Sequence, residues 1–270
     1  MKKQIHFICN LMVALCLLLT TVVGYAQVED EKFTPRSGQS GKDVVWVPTP
    51  QMLVDTMLSM ANVTSADYLI DLGSGDGRLV ITAAKLGANA LGIEYNQDMV
   101  ELARRTAKEE GVSERATFRN ADLFESDFSE ADVLTLFLLA SINMRLRPKI
   151  FDMKPGTRVV SNSFDMEDWK PDQTKHIAHS DISWNTAHLW IVPAKVEGIW
   201  KFDNGQINIV QDFQYISGTV TIGKENSNFT GKLDGNKISI NVENTEYIGT
   251  VSNNTISVTR PGGGSWKAHR

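Results

Sequence analysis

Three glycines at alternate positions and two aspartates occupy one short stretch of this chain, Asp71-Leu72-Gly73-Ser74-Gly75-Asp76-Gly77, which follows an apolar run. Glycines at alternate positions let a backbone turn tightly and approach a ligand without clashes from a Cβ atom. A helix that begins after such a turn directs its N-terminal N–H groups at that ligand. The stretch therefore predicts a ligand-binding loop between a strand and a helix.

The side chains of this loop favour a cationic ligand over a dinucleotide. A dinucleotide site requires G-x-G-x-x-G, but here the third glycine comes one residue early and Arg78 takes its place. Asp76 inside the loop would also repel a pyrophosphate. A ligand with an ammonium and a sulfonium group suits Asp71 and Asp76 better, and S-adenosylmethionine is such a ligand. A glycine turn without a ligand is the alternative interpretation.

Two further acids follow the next two predicted strands. Glu94 comes 17 residues after Gly77 and can accept hydrogen bonds from the ribose hydroxyls of a nucleoside. Asp122 can accept a hydrogen bond from an adenine amino group. The alternatives are a solvated carboxylate for Glu94 and an Asx turn or helix cap for Asp122. With Asp71, these acids stand at the carboxyl ends of three successive strands, where ligands bind in open parallel sheets.

The elements that must position these acids alternate between strands and helices from Tyr68 onward. Such alternation predicts an α/β fold, a Rossmann-like doubly wound sheet with helices on both faces, over residues 46–195. Before it, Thr49 and Pro50 are typical of a helix start, with Thr49 as N-cap. The predicted strands are 68–72, 90–93, 116–119, 133–138, 159–163 and 187–192, and the predicted helices between them include 79–86 and 99–108.

After Lys195 the pattern changes to short β-rich runs with turn residues between them. Seven such runs without helices predict a small C-terminal antiparallel β domain over residues 196–270, either a meander or a small barrel. Its aromatic residues are expected to form its core, and a ligand-binding barrel interior is the alternative. These residues are Trp200, Phe202, Phe213, Tyr215 and Trp266.

Residues 46–193 resemble a seven-stranded S-adenosylmethionine-dependent methyltransferase. Within that superfamily, five stretches resemble the family of the mitochondrial ATP synthase c-subunit lysine methyltransferase and its bacterial relatives. These stretches are Val47–Pro50, Asp71–Arg78, Leu136–Leu139, and Leu146–Lys149 with Lys154–Ser161. The β-rich tail lies outside the resemblance.

The resemblance implies where each part of the cofactor lies. The methionine end is expected near Asp71, Gly73 and Gly75, the ribose near Glu94, and the adenine near Asp122 and Leu123. Together with Ser74, Asp76 and Gly77, these residues form the predicted cofactor site.

The methyl acceptor is less well defined by the sequence. In this superfamily the stretch after the fourth strand, here Leu138–Asn143, contacts the acceptor. It has no Asn/Asp-Pro-Pro-aromatic tetrapeptide, which disfavours amino groups of bases or amides. Ser141 and Asn143 are the candidate acceptor contacts, with capping of a helix from Ile142 as the alternative. A protein lysine is one acceptor class, since the apolar Phe137-Leu138-Leu139 favours a neutral amine. A small-molecule acceptor and a non-catalytic cofactor-binding envelope module are the other hypotheses.

The N-terminus predicts export. Lys2 and Lys3, an apolar run and the small-residue exit before Gln27 are typical of a signal peptide over residues 1–26, followed by a linker over 27–45. We therefore expect a periplasmic protein with no membrane span after cleavage; an uncleaved membrane anchor is the alternative.

Cleavage at this site would change the chemistry of the chain. The mature chain would lack cysteine and carry 25 basic against 32 acidic residues, a formal charge of −7, which disfavours nucleic-acid binding. His176 and His179 with Asp181 suggest a metal site, but two histidines on a predicted loop are too few ligands, so no metal is predicted.

Overall fold

A mixed sheet and a β barrel follow one another along the chain. The computed structural model describes residues 33–177, 184–260 and 262–270, and the chain divides into two units, residues 1–34 and 35–270. The predicted signal peptide, His179 and Asp181 lie outside the described residues. Within the described ranges, no helix combines the length and apolar composition needed to cross a bilayer.

The sheet has seven strands within the described residues. They are β1 (Tyr68–Leu72), β2 (Asn89–Glu94), β3 (Ala116–Asn120), β4 (Val133–Leu136), β5 (Arg158–Asn162), β6 (Gln173–His176) and β7 (Thr186–Ile191). Their order is β3-β2-β1-β4-β5-β7-β6. Strands β1 to β5 run parallel, β7 pairs antiparallel with β5, and β6 pairs antiparallel with β7. The strand order reverses between β1 and β4, and ligands bind beyond the carboxyl ends of the strands at such a point.

Helices cover both faces of this sheet, as the alternating pattern predicts. Helices α1 (Gln51–Met60), α2 (Arg78–Lys85) and α3 (Gln97–Glu109) bury their apolar residues in one core. Helix α4 (Ala140–Phe151) packs against the opposite face in a second core, where Ile142, Leu146 and Ile150 are buried. The fold class predicted from the sequence is confirmed.

Two local expectations differ from the structure. Strand β6 occupies the stretch expected to be a loop around His176. Thr49 is not the N-cap of α1: Pro50 takes that position and its carbonyl oxygen accepts the first helical hydrogen bonds. The Thr49 hydroxyl instead accepts a bond of 3.4 Å from the Asn162 side-chain amide.

The C-terminal strands close into a barrel of eight strands within the described residues. They are β8 (Gly198–Phe202), β9 (Gly205–Asp212), β10 (Tyr215–Ile222), β11 (Glu225–Asp234), β12 (Lys237–Val242), β13 (Thr245–Ser252), β14 (Thr255–Thr259) and β15 (Ser265–His269). The seven predicted strands are present. Strand β15, which the sequence pattern did not predict behind a run of three glycines, pairs with β8 through His269 and Lys201 and so closes the barrel.

The barrel core is made of closely packed apolar side chains. Trp200 is fully buried there, and Phe202 packs against Trp266 with ring centroids 5.3 Å apart. The alternative of a ligand-binding interior therefore gains no support from the described strands. Tyr215 is 48% exposed, so its expected place in this core is wrong.

Phe213 was also expected in the barrel core, but it packs into the sheet domain. Its ring stacks on Trp169 with centroids 5.4 Å apart and meets Phe151 edge-on at 5.5 Å. The neighbouring Gln214 is fully buried and donates a hydrogen bond of 2.8 Å to the Lys170 carbonyl oxygen. The turn between β9 and β10 thus anchors the barrel to the sheet domain.

Candidate functional site

One cavity lies at the carboxyl edge of the sheet, where the strand order reverses. Its walls come from the glycine loop after β1, the ends of β2, β3 and β4, and the stretch after β5. Residues 39–49, which precede α1, form a further wall. The topology thus brings most of the predicted cofactor residues to one place.

The glycine loop turns sharply at the floor of this cavity. The N–H groups of Gly73 and Ser74 both donate to the Ile93 carbonyl oxygen, at 2.8 and 3.1 Å, which fixes the loop to β2. Gly75 has a φ of +54°, and a Cβ atom there would lie 2.4 Å from Nε1 of Trp46. The loop therefore needs glycine here both for its backbone conformation and for the close approach of Trp46. Ser74 is buried, and its hydroxyl has no partner within the described residues.

Asp71 is a buried carboxyl group at the end of β1. It is 6% exposed, and its Oδ1 accepts a hydrogen bond of 2.7 Å from the Thr135 hydroxyl. Burial, helped by the nearby charges of Glu94 and Asp76 and opposed by the Thr135 bond, raises the pKa of Asp71 to about 7. A cation beside Asp71 would lower this pKa, because it would stabilise the ionised carboxylate.

Glu94 ends β2 and ties the glycine loop to the loop that follows it. One carboxylate oxygen accepts a bond of 2.9 Å from the Gly75 N–H, and the other accepts one of 2.9 Å from the Asn96 N–H. Each carboxylate oxygen can accept a second hydrogen bond. Glu94 lines the cavity and remains the predicted ribose contact.

Asp76 and Gly77 differ in their relation to the cavity. Asp76 lines it and pairs with Arg78, whose guanidinium also donates a bond of 2.8 Å to the Thr49 carbonyl oxygen. Gly77 is the N-cap of α2 and is not part of the cavity wall. A Cβ atom there would lie 2.7 Å from the Phe118 ring, so its glycine serves helix packing.

Asp122 and Leu123 form the cavity wall after β3. One Asp122 oxygen accepts a bond of 2.8 Å from the Phe124 N–H, and the other pairs with the Lys42 ammonium, so the pKa of Asp122 is lowered. Lys42 also lies 4.8 Å from the Tyr95 ring centroid. Lys42 belongs to the stretch expected to be a linker, and its contact with the predicted adenine acid was missed.

The segment that carries Lys42 is fixed by its own backbone. The Gly38 N–H donates to the Trp46 carbonyl oxygen at 2.8 Å, and the Trp46 N–H donates to the Gln39 carbonyl oxygen at 2.9 Å. This pairing places the Trp46 ring over the glycine loop. Trp46 stands in the apolar run 44–47 that follows the polar stretch, and this run was the sequence feature that could have indicated a packed role.

The charges of the cavity fit S-adenosylmethionine. Five carboxylates line it, and cations pair with three of them in the described residues: Arg78 with Asp76, and Lys42 with Asp43 and Asp122. The buried acid Asp71 and the half-buried Glu94 have no cationic partner there, which suits an ammonium or sulfonium group and ribose hydroxyls respectively. The partnerless Ser74 hydroxyl supplies a further polar atom at the loop.

The opposite end of the cavity, on the β4, β5 and β7 side, is apolar and aromatic. Phe137, Phe164 and Trp184 meet there, with ring centroids 6.3, 6.0 and 5.2 Å apart in pairs. Leu138, Leu139 and Ile142 complete this wall. The aromatic side chains of Phe164 and Trp184 were missed, since they follow and precede different strands and no spacing in the sequence connects them.

The two candidate acceptor contacts lie within α4 and not on the cavity wall. Ser141 is exposed, whereas Asn143 is fully buried and donates to the Phe164 carbonyl oxygen at 3.2 Å. Helix α4 begins at Ala140 with Leu139 as N-cap, so the capping alternative is wrong for both residues. Asn143 instead positions the chain that carries one of the aromatic rings.

His176 lies on the exposed strand β6, where its Nδ1 is 2.9 Å from the Thr186 hydroxyl. Among the residues with described positions, no group of three or more His, Cys, Asp or Glu side chains is arranged to hold a metal ion.

The sheet order, the glycine loop and its acids define a seven-stranded S-adenosylmethionine-dependent methyltransferase. The family model described as the ANTKMT methyltransferase domain matches residues 71–173. A protein-lysine N-methyltransferase of Saccharolobus islandicus is 40% identical over 152 residues, which cover 55% of this chain and 94% of that protein. The chain belongs to this family of methyltransferases.

Two further relatives carry different names. The lysine N-methyltransferase of Rattus norvegicus named for the ATP synthase c-subunit is 35% identical over 130 residues, which cover 48% of this chain and 60% of that protein. A crystal structure titled RNA methyltransferase from Salinibacter ruber, in complex with S-adenosyl-L-homocysteine, is 49% identical with a TM-score of 0.52. The match covers 56% of this chain and 96% of the Salinibacter chain. These likenesses agree with an S-adenosylmethionine cofactor.

Proposed function

We propose that this methyltransferase acts on lysine side chains of a protein. The observation that carries the proposal is the uncharged acceptor end of the cavity, formed by Phe137, Leu138 and Leu139 after β4. The names of the Saccharolobus and rat relatives support the same acceptor.

An apolar acceptor end suits the chemistry of a lysine nucleophile. The methyl group of a sulfonium is already activated, so the protein has to align an amine with it and exclude water. A lysine amine has a free pKa of about 10.4 and attacks only after it has lost its proton. Burial against apolar side chains lowers that pKa and therefore favours the neutral amine.

RNA is the second candidate acceptor, because the Salinibacter structure carries that name. RNA binding depends on Lys and Arg side chains that neutralise phosphates. This chain has a formal charge of −5, and five carboxylates line its cavity. The charge balance therefore favours an amine over a polyanion.

The acceptor class can be tested with a labelled methyl donor. Purified residues 27–270 would be incubated with methyl-labelled S-adenosylmethionine and separate fractions of cell protein, RNA and small molecules. We expect label that protease releases and RNase does not, and methyllysine after acid hydrolysis. The Glu94→Ala variant serves as the control for cofactor-dependent label. Label confined to RNA or to small molecules would overturn the proposal.

We also propose that the chain is exported to the periplasm and finds its acceptor in the cell envelope. The support is the order of charges, apolar run and small residues over residues 1–26. Cell fractionation followed by N-terminal sequencing tests this, and we expect a periplasmic protein that begins at Gln27. Recovery of the intact N-terminus in the cytosol would contradict export.

A further inference from the structure

The aromatic trio, defined here as Phe137, Phe164 and Trp184, has a geometry that suits a cation. The three ring centroids form a triangle with sides of 5.2 to 6.3 Å. A single point above such a triangle lies within about 6 Å of all three centroids, the distance at which a cation over the face of an aromatic ring is attracted to it. All three side chains are half-buried and line the cavity. By contrast, Trp169 and Trp190 are fully buried in the core.

The position of the trio in the sheet separates it from the cofactor acids. Glu94 ends β2 and Asp122 follows β3, on one side of β1. The trio follows β4 and β5 and precedes β7, on the other side. Asp71 stands between them at the end of β1. The trio therefore lies where an acceptor would approach the methyl group.

We propose that the aromatic trio surrounds the acceptor nitrogen and stabilises, by cation–π attraction, the positive charge that this nitrogen gains during transfer. This inference rests on the proposed lysine acceptor. The lone pair of the neutral amine forms the new nitrogen–carbon bond, while the carbon–sulfur bond breaks and its electron pair stays on sulfur. Positive charge thus moves from sulfur to nitrogen, and the proton that the product ammonium later loses passes to water.

The structure holds one member of the trio in place by two hydrogen bonds to its backbone. The Phe164 carbonyl oxygen accepts a bond of 2.6 Å from the Ser161 hydroxyl and one of 3.2 Å from the Asn143 amide. A ring whose backbone is held in this way stabilises a developing charge without reorganisation of that backbone at the moment of reaction.

The test compares a charged probe with a neutral probe of the same shape. Nα-acetyl-trimethyllysine amide and its carbon isostere, in which a tert-butyl group replaces the trimethylammonium, would be titrated calorimetrically into the protein saturated with S-adenosylhomocysteine. We expect the wild type to bind the charged probe about tenfold more tightly, in line with cation–π attraction at a partly desolvated site. Trp184→Leu should reduce this ratio to about one, and Trp184→Phe should keep most of it, since a benzene ring retains the π face.

Controls separate this effect from misfolding. Tyr215→Leu removes an aromatic ring that is 48% exposed on the barrel, and should leave the ratio unchanged. Affinity for S-adenosylhomocysteine and the melting temperature are measured for each variant, and Phe164→Leu provides a second change in the trio should Trp184→Leu not fold.

The outcomes distinguish this inference from the proposed function. Equal binding of both probes by the wild type, or an unchanged ratio in folded Trp184→Leu and Phe164→Leu, overturns the inference even where methyllysine is formed. Displacement of the charged probe by a nucleoside, which would indicate base stacking on the trio, also overturns it. Charge preference that is lost in the variants supports it, and label found only in RNA would refute the lysine acceptor separately.

Discussion

The side-chain amide of Asn143, at the start of α4, donates a hydrogen bond of 3.2 Å to the carbonyl oxygen of Phe164, beyond the end of β5. Asn143 is fully buried, and the oxygen of its side-chain amide, Oδ1, has no partner among the described residues. The bond therefore joins the helix that follows Phe137 to the stretch after β5 that carries Phe164. A residue without contact to the cavity thus positions one of its walls.

Asn143→Ala should weaken acceptor use while leaving cofactor binding unchanged. Loss of the amide leaves the Phe164 carbonyl oxygen with fewer partners, at a cost of about 1–3 kcal/mol in the free energy of unfolding. We expect a lower melting temperature and a higher KM for the protein acceptor. Ser141→Ala is the matched control, because Ser141 is exposed on the same helix. Equal kinetics for both variants would show that Asn143 has no positioning role.

Asp71 should make both stability and cofactor affinity depend on pH. In the folded protein its pKa is raised to about 7 from 3.8, chiefly by burial, so the unfolded chain binds fewer protons between these values. The free energy of unfolding of the free protein should therefore fall as the pH rises from about 4 to about 7.

A cationic ligand beside Asp71 favours its ionised form, so cofactor binding should release a proton near pH 7. We expect affinity to rise from pH 6 to pH 8, by less than about tenfold per pH unit. Calorimetry in buffers of different ionisation enthalpy measures the released proton. Asp71→Asn should abolish the release and flatten the pH profile, and an unchanged profile in this variant would assign the titration to another group.

Glu94→Ala should weaken cofactor binding by about 1.5–3 kcal/mol, the scale of a charge-assisted hydrogen bond. The structure adds a second reason, because the carboxylate also holds the N–H groups of Gly75 and Asn96. Glu94→Gln keeps one acceptor oxygen and should lose less. Titration with S-adenosylhomocysteine measures both, with Glu101→Ala on the exposed face of α3 as control. Wild-type affinity in Glu94→Ala would place the ribose elsewhere.

Gly75→Ala should damage the site more than the same change at Gly111. Both glycines have positive φ, +54° and +71°, but a Cβ at Gly75 would clash with Trp46, whereas nothing lies within 4 Å of one at Gly111. Both variants therefore carry the backbone strain of about 1–3 kcal/mol, and only Gly75→Ala adds the clash with Trp46. Melting curves and cofactor titration compare the two variants. Similar losses of cofactor affinity in both would mean that Trp46 moves aside freely.

Local patterns predict the sheet and the acids well, because strand periodicity and glycine spacing are properties of neighbouring residues. The predicted strand over 68–72 coincides with β1, and Asp71, Glu94 and Asp122 reach one cavity. Lys42, Trp46 and the aromatic trio were missed for the opposite reason. The pair Lys42 and Asp122 is separated by 80 residues, and only the folded topology brings it together.

Local patterns also fail to predict the contacts at the junction between the barrel and the sheet domain. Period-two alternation predicts its strands, but it cannot tell whether an aromatic residue in a turn faces its own domain or a neighbour. Phe213 has a positive φ of 50° at the turn between β9 and β10, and its ring stacks on Trp169 of the sheet domain. That contact bears directly on whether the barrel can be removed.

Removal of the barrel by truncation after Lys195 should leave a folded domain that binds cofactor but melts at a lower temperature. Every predicted cofactor contact lies between Asp71 and Leu123, and the two cores of the sheet domain come almost entirely from residues before the cut. The truncation exposes Phe151 and Trp169, against which Phe213 packs, and surfaces shared by domains commonly measure about 600–1,500 Å².

A single substitution in the complete chain separates this contact from the rest of the barrel. Phe213→Ala removes the stacked ring and should lower the free energy of unfolding. Buried Phe→Ala changes cost about 3–5 kcal/mol, and this range is an upper limit here because Phe213 is only partly buried. We expect it to reproduce much of the melting shift of the truncated chain, with cofactor affinity within about threefold of wild type in both. Differential scanning calorimetry and cofactor titration provide these two measurements. A truncated chain that is unfolded or cannot bind cofactor would show that the barrel and the sheet form one folding unit. A Phe213→Ala variant with wild-type stability would assign the stabilising contact to the buried Gln214 or to the Lys232–Asp172 ion pair instead.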